Sequence, residues 1–206
     1  MALPGFASRI ADKSHKMVAA SQAGERRAVF LDRDGVIVVP EFRDGRSFAP
    51  TALEDFEIFP DAPAALEELK AAGFLLIVVT NQPDVGAGKL SREILNQMHE
   101  QMRLRLPLDD IYVCIHTREA GCSCRKPQPG MLIAAARKWG LDLSNSYLIG
   151  DRSSDIEAAR AVGCRSIFID HNYRETVINS PDFRVGKMSE AASIVVRDSR
   201  RAHERG

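Results

Sequence analysis

Between residues 26 and 196 short, continuously apolar runs alternate with segments whose apolar positions recur every three or four residues. Ala28-Val29-Phe30-Leu31 is the first run and stops at Asp32, as a strand buried on both faces would. Asp61 is then expected to cap a helix that carries Ala62, Ala65, Leu66 and Leu69 on one stripe and ends at Gly73. Phe74–Val79 reads as the second strand, and Ser91 as the cap of a helix with Leu95, Met98 and Met102 on one side. Ile111–Val113 is a third strand, followed by a helix over Gly130–Trp139 that Gly140 stops. Tyr147–Ile149, a helix over Ile156–Val162 before Gly163, and Ser166–Ile169 complete the series. The alternation predicts an α/β fold: a Rossmann-like parallel sheet with helices on both faces and its functional groups at the carboxyl ends of the strands.

Residues 1–25 have no clear period and read as an N-terminal extension, and residues 197–206, with four arginines, as a solvated tail. One domain over residues 26–196 fits a chain of 206 residues. Lys plus Arg and Asp plus Glu both total 28, so no broad basic field is offered to nucleic acid or an anionic membrane. Phe74–Val79, the longest strongly apolar run, is far shorter than the ~20 residues of a membrane span. Arg9, Asp12, Lys13 and Lys16 interrupt any secretory apolar region, so a cytoplasmic protein, taken as a monomer, is the expectation.

Polar residues follow the predicted strands. Asp32 and Asp34, two apart in extended backbone, can share one site, and two crowded carboxylates repel unless a cation separates them; a hard ion such as Mg²⁺ suits their oxygens. Taken alone, this segment is equally a turn after a strand. Thr80-Asn81-Gln82 ends the second strand with groups able to donate to phosphoryl oxygens, or simply terminates it. Arg125-Lys126-Pro127 offers two cations before a helix, and Asp151, Arg152 and Asp155 follow the fourth strand. Gly86-Ala87-Gly88-Lys89 looks like a phosphate loop, but Pro83 and Leu90 break that pattern, leaving a flexible loop before Ser91. Cys114, His116, Cys122 and Cys124 form the Cys₃His set of a closed structural zinc site, with a disulfide or idle thiols as the alternatives. That loop, residues 114–124, ends directly at Arg125-Lys126; Cys164 reads as a small core residue.

Asp32-Arg33-Asp34-Gly35, Thr80, Lys126 and Gly150-Asp151 with Asp155 resemble, in order and spacing, the four motifs of the haloacid dehalogenase superfamily of phosphotransferases, over about residues 28–170. The resemblance implies Asp32 as a nucleophile that forms an aspartyl-phosphate, and Asp34 as general acid and then base. It implies Mg²⁺ on Asp32, Asp34 (through its main-chain carbonyl) and Asp151. Thr80, Arg125 and Lys126 would act on the phosphoryl group, with Asp155 an outer partner. Val36 stands where the family usually has Thr. The zinc loop and its Arg125-Lys126-Pro127-Gln128-Pro129-Gly130-Met131 continuation resemble the heptose-bisphosphate phosphatases and the related histidinol-phosphate phosphatases, which lack a large cap domain. Residues 36–60 leave room for a flap, so Asn81, Arg125, Lys126 and Arg152 are the expected contacts to a small phosphorylated substrate, a sugar bisphosphate. Ala87 and Pro83-Asp84 depart from the heptose pattern in a substrate loop, which keeps histidinol phosphate and other sugar phosphates open. A zinc-stabilised binding module with a retired site is the reading from another class.

Overall fold

The structure is a computed structural model that describes residues 26–43, 46–172 and 179–203. Strand β1 (Ala28–Leu31) lies at the centre, fully buried, because each of its side chains meets a helical layer. Val29 and Leu31 point into one core and Ala28 and Phe30 into the other, as the two-residue period of a strand requires. A short hairpin follows, β2 (Glu41–Arg43) with β3 (Arg46–Phe48), and then α1 (Ala62–Ala71). Next come β4 (Leu75–Asn81), a single helical turn α2 (Pro83–Gly86), α3 (Arg92–Arg105) and β5 (Asp110–Cys114). The chain continues through α4 (Gly130–Trp139), β6 (Tyr147–Gly150), α5 (Ser153–Ala161), β7 (Arg165–Ile169), β8 (Phe183–Val185) and α6 (Met188–His203).

Six parallel strands are paired in the order β5-β4-β1-β6-β7-β8. Leu31 is level with Val78 of β4 and Ile149 of β6, so the three strands deliver Asp32, Thr80 and Asp151 to one edge of the sheet. One face is covered by α1, α3 and α6, and the other by α4 and α5. The expected doubly covered parallel sheet is what forms.

Four expectations change. Asp61 does not cap its own helix: its Oδ2 accepts from the Ser189 backbone N–H at 2.9 Å and so closes the start of α6, which packs on α1. Helix α5 begins at Ser153, three residues before the expected Ile156. Of the loop expected over residues 86–89, Gly86 instead ends the short turn α2. Residues 197–203, expected in a solvated tail, continue α6, where Ser199 is buried. The proposed extension over residues 1–25 lies outside the described residues.

Candidate active site

The loop after β1 is folded tightly on itself: the Arg33 carbonyl accepts from both Ile37 and Val38, and the Gly35 N–H donates to Val38. Gly35 has φ +85°, and a Cβ there would lie 2.2 Å from Asp151 Oδ2, so conformation and space both demand glycine. Val36, the departure from the usual Thr, is 1% exposed and joins the apolar core. His171, stacked on Phe59, holds the Gly35 carbonyl with its Nε2 at 2.7 Å.

Asp32, Asp151 and Asp155 are all buried, with carboxylate oxygens within 4.8 Å of one another. Lys126 Nζ sits 2.9 Å from Asp32 Oδ1 and 2.6 Å from Asp155 Oδ1. Burial alone would weaken the charge on this ammonium, but the Asp155 and Asp32 carboxylates outweigh it and hold Lys126 above its ordinary value. Asp155, expected as an outer partner, is thus inside the cluster; burial pushes it up to about 6 against the pull of Lys126. Its Oδ2 also accepts from the Arg152 N–H at 3.1 Å, which fixes the first turn of α5. The Asp34 side chain stands outside the cluster: Oδ1 accepts from Arg33 Nε at 3.0 Å and Oδ2 from Gln82 Nε2 at 2.7 Å.

Asp151 shows what the cluster suits. Both its oxygens are buried without a hydrogen-bond partner among the described residues, and Arg152 Nε is 3.8 Å away. Burial, then the Asp32 and Asp155 charges, push its carboxyl well above the usual range. Unpartnered buried carboxylate oxygens beside two further acids fit a hard divalent cation. Acids raised in the folded state stabilise it below their unfolded value, and that contribution is lost as pH rises through the folded one. The chelated protein should therefore melt several degrees lower at pH 8 than at pH 5, and Mg²⁺ should restore more at pH 8 than at pH 5. Thermal melts of wild type and Asp151→Asn check this; an equally steep pH dependence in the variant would contradict it.

Two expected substrate contacts are otherwise engaged. Asn81 donates from Nδ2 to the Lys126 carbonyl and accepts from the Lys126 N–H, both at 3.1 Å, so it positions the lysine. Arg152 Nη2 donates to the Ser47 carbonyl at 2.7 Å and to Ser47 Oγ at 2.5 Å, tying the hairpin to the loop after β6. Thr80 is fully buried, its hydroxyl 2.9 Å from Gln82 Nε2. Beside Lys126 opens a cleft of about 540 Å³ lined by Asn81, Arg118, Arg125 and Ser154 among others. The sequence did not single out Arg118, and it named Gln82 and Arg33 only within their motifs, without their contacts to Asp34. For Arg118 the available signal is its place in the Cys/His loop, seven residues before Arg125.

Cys114, His116, Cys122 and Cys124 converge next to this cleft: the three cysteines are free thiols with sulfurs 3.3 to 3.6 Å apart, and His116 Nδ1 lies 3.6 Å from Cys114 and 3.3 Å from Cys124. A tetrahedral thiolate set around zinc at about 2.3 Å has edges of roughly 3.8 Å, so the four ligand atoms fit that ion. Burial pushes the Cys114 thiol up to about 12. For Cys122 the same penalty is outweighed by the Arg125 N–H and neighbouring donors, which bring it down to about 6.

The sequence matches the haloacid dehalogenase-like hydrolase family over residues 16–160 and a HAD-hydrolase-like family over residues 123–198. It is 36% identical over 155 residues to the D-glycero-beta-D-manno-heptose-1,7-bisphosphate 7-phosphatase of Rhodopseudomonas palustris, covering 69% of this chain and 83% of that one. The Escherichia coli K12 protein of the same name is 36% identical over 146 residues, covering 65% and 73%. Among solved structures, the D,D-heptose 1.7-bisphosphate phosphatase from B. bronchiseptica, complexed with magnesium and phosphate, superposes with a TM-score of 0.73 at 26% identity, over 84% of this chain and 99% of that one. With the family matched across most of its length and with relatives more than one-third identical, this chain belongs to the haloacid dehalogenase-like hydrolases.

Proposed function

We propose that this chain is a magnesium-dependent phosphomonoester hydrolase that removes the 7-phosphate of D-glycero-D-manno-heptose 1,7-bisphosphate by way of an aspartyl-phosphate. The buried carboxylate cluster around Lys126, in which both Asp151 oxygens go without a hydrogen bond among the described residues, carries this reading. Asp32 Oδ1 is held by Lys126 Nζ and by the Arg33 N–H at 2.7 Å, which leaves Oδ2 to attack phosphorus. As that P–O bond forms, the bond to the sugar oxygen breaks, and Asp34 supplies the proton that the leaving alkoxide takes. Asp34 then removes a proton from the water that hydrolyses the acyl phosphate. Thr80 and Lys126 hold phosphoryl oxygens. Asp32, Asp151 and the main-chain carbonyl of Asp34 would hold Mg²⁺, which supplies neutralisation of the charge spread over those oxygens.

Two features support a bisphosphate. Relatives of that name cover most of the chain, and the cleft beside Lys126 carries Arg118 and Arg125, two guanidiniums suited to a second phosphate. The Cys₃His loop is assigned to structural zinc, holding Arg125 and Lys126 beside the cluster. Among the described residues no helix is long and apolar enough to cross a membrane. Initial rates on heptose 1,7-bisphosphate, histidinol phosphate and common sugar monophosphates, with and without Mg²⁺, test the assignment. The heptose ester should lead in kcat/KM by at least about tenfold, the worth of one charge-assisted contact, and Arg118→Ala should narrow that lead. Preference for histidinol phosphate would overturn the substrate; inertness toward every ester with Mg²⁺ present would favour a zinc-stabilised binding module.

A further inference from the structure

We propose that Gln82 is a positioning residue that aligns the phosphate-binding hydroxyl and the proton-transfer carboxylate with one amide group, while Arg33 fixes the carboxylate's other edge. The inference rests on the roles given above to Thr80 and Asp34. Gln82 follows β4 directly and is 1% exposed, so its amide must find partners inside the protein. Both N–H groups of Nε2 are spent in the site, one on Thr80 Oγ1 at 2.9 Å and one on Asp34 Oδ2 at 2.7 Å. The nitrogen end of the amide, not its carbonyl oxygen, faces both Asp34 and Thr80. The consequence for Thr80 is directional. Its oxygen receives the Gln82 N–H on one lone pair, so its single proton is left to point at a substrate oxygen.

Asp34 is gripped from the other side. Arg33 Nε and Nη2 lie 3.0 and 2.9 Å from Oδ1. The Arg33 side chain is entirely buried with its guanidinium 5.9 Å from the Phe56 ring centre, so the donors cannot swing out to solvent. Oδ2, with its single Gln82 bond, keeps a second lone pair, enough to carry the transferred proton. The Gln82 backbone N–H also donates to the Cys114 carbonyl at 2.7 Å, which anchors the amide to the first residue of the Cys/His loop. One residue therefore connects the sulfur cluster, the phosphate-binding hydroxyl and the acid/base.

The test compares two probe substrates in the full chain with Mg²⁺: p-nitrophenyl phosphate, whose leaving group needs little protonation, and an alkyl phosphate, heptose 1,7-bisphosphate. The kcat/KM value covers every step up to phosphoryl transfer onto Asp32, so a misplaced acid appears as a loss confined to the alkyl ester. Gln82→Met removes both donors at similar volume; general acid catalysis is worth 10²–10⁴, so its alkyl-ester loss should exceed its aryl-ester loss by roughly 10- to 100-fold. Arg33→Lys should show the same bias more weakly. Equal losses on the two esters would reduce Gln82 to a packing role and overturn the proposal. If Gln82→Met does not give a cooperative melt, Gln82→Leu, which also removes both donors, takes its place under the same criterion. Asp34→Asn separates the two ideas. A selective alkyl-ester loss in Asp34→Asn but none at Gln82 rejects this inference alone, whereas equal losses in Asp34→Asn reject the role of Asp34 itself.

Discussion

Asp32→Asn should reduce phosphate release by at least about 10,000-fold, the scale on which loss of an attacking group is felt, while the protein stays folded. The expectation comes from the division of labour between the two carboxylate oxygens. Oδ1 is already occupied by the Lys126 ammonium and the Arg33 N–H, and an asparagine carbonyl could accept both of those bonds. The change therefore falls on Oδ2, where an amide nitrogen has no lone pair to give to phosphorus. Stability should not suffer. Lys126 keeps Asp155 at 2.6 Å, and removing one negative charge relieves part of the repulsion that Asp151 feels in its buried position. A melting temperature at or above that of the chelated wild type, combined with activity at the assay floor, is the expected pair of results. Activity above 1% of wild type would remove Asp32 from the nucleophile's position, and a lost cooperative melt would show that its charge holds the site together.

The strands were legible because a sheet covered on both faces needs runs of apolar side chains, and β1, Leu75–Val79 of β4, Tyr147–Ile149 of β6 and Ile167–Ile169 of β7 supply them. Helices with a polar cap and a glycine stop were equally plain. Ser91 accepts from the Ile94 N–H at 3.2 Å, and α4 runs from Gly130 to Trp139 before a left-handed Gly140. Helix α6 carried a stripe too, Met188, Ala191, Ala192, Val195 and Val196, but its alanines are weak apolar signals and the following arginines resemble a solvated end. Strand β8 has only three residues, too few to establish a period. The late start assigned to α5 has a chemical cause: its first turn buries Ser153 and Asp155 for the carboxylate cluster, so polar residues stand where a core stripe would begin.

In the site, residue types were readable and pairings were not. The sequence places Asp32, Thr80 and Asp151 at strand ends, and the registers of β1, β4 and β6 bring those ends level, with Lys126 supplied by the loop before α4. Which carboxylate meets which cation depends on loop geometry of a few tenths of a nanometre. Asp155 lies in the cluster while the Asp34 carboxylate turns toward Arg33 and Gln82. Asn81 and Arg152 have the polarity of ligand contacts, yet each satisfies main-chain groups that the folded loops bring to it: Lys126 for one and Ser47 for the other.

Cys124→Ser should empty the Cys/His loop of metal and lower turnover by roughly 10- to 100-fold, the range seen when a supporting shell is lost, although no catalytic group is altered. Cys124 is the sulfur nearest the other three ligands, 3.3 Å from Cys114, 3.4 Å from Cys122 and 3.3 Å from His116 Nδ1. Without an ion, three thiols and an imidazole this close have little to hold them together. The loop also has few other restraints: the Arg125–His116 carbonyl bond is long at 3.4 Å. Downstream, the loop is fastened to α4 by the Gly130 N–H on the Ser123 carbonyl at 3.0 Å, an approach so close that a Cβ at Gly130 would meet that oxygen at 2.3 Å. Lys126 lies between these two points, so slack in the sulfur cluster reaches the ammonium that grips Asp32 and Asp155. The structural metal contributes folding free energy as well, so the variant should melt several degrees below wild type. Zinc content, melting temperature and kcat, measured together on wild type and variant, give the answer. Stoichiometric zinc lost together with both stability and kcat supports the assignment, whereas a wild type without zinc, or a variant equal to it in melting temperature and turnover, would leave the four ligands as idle thiols and an imidazole.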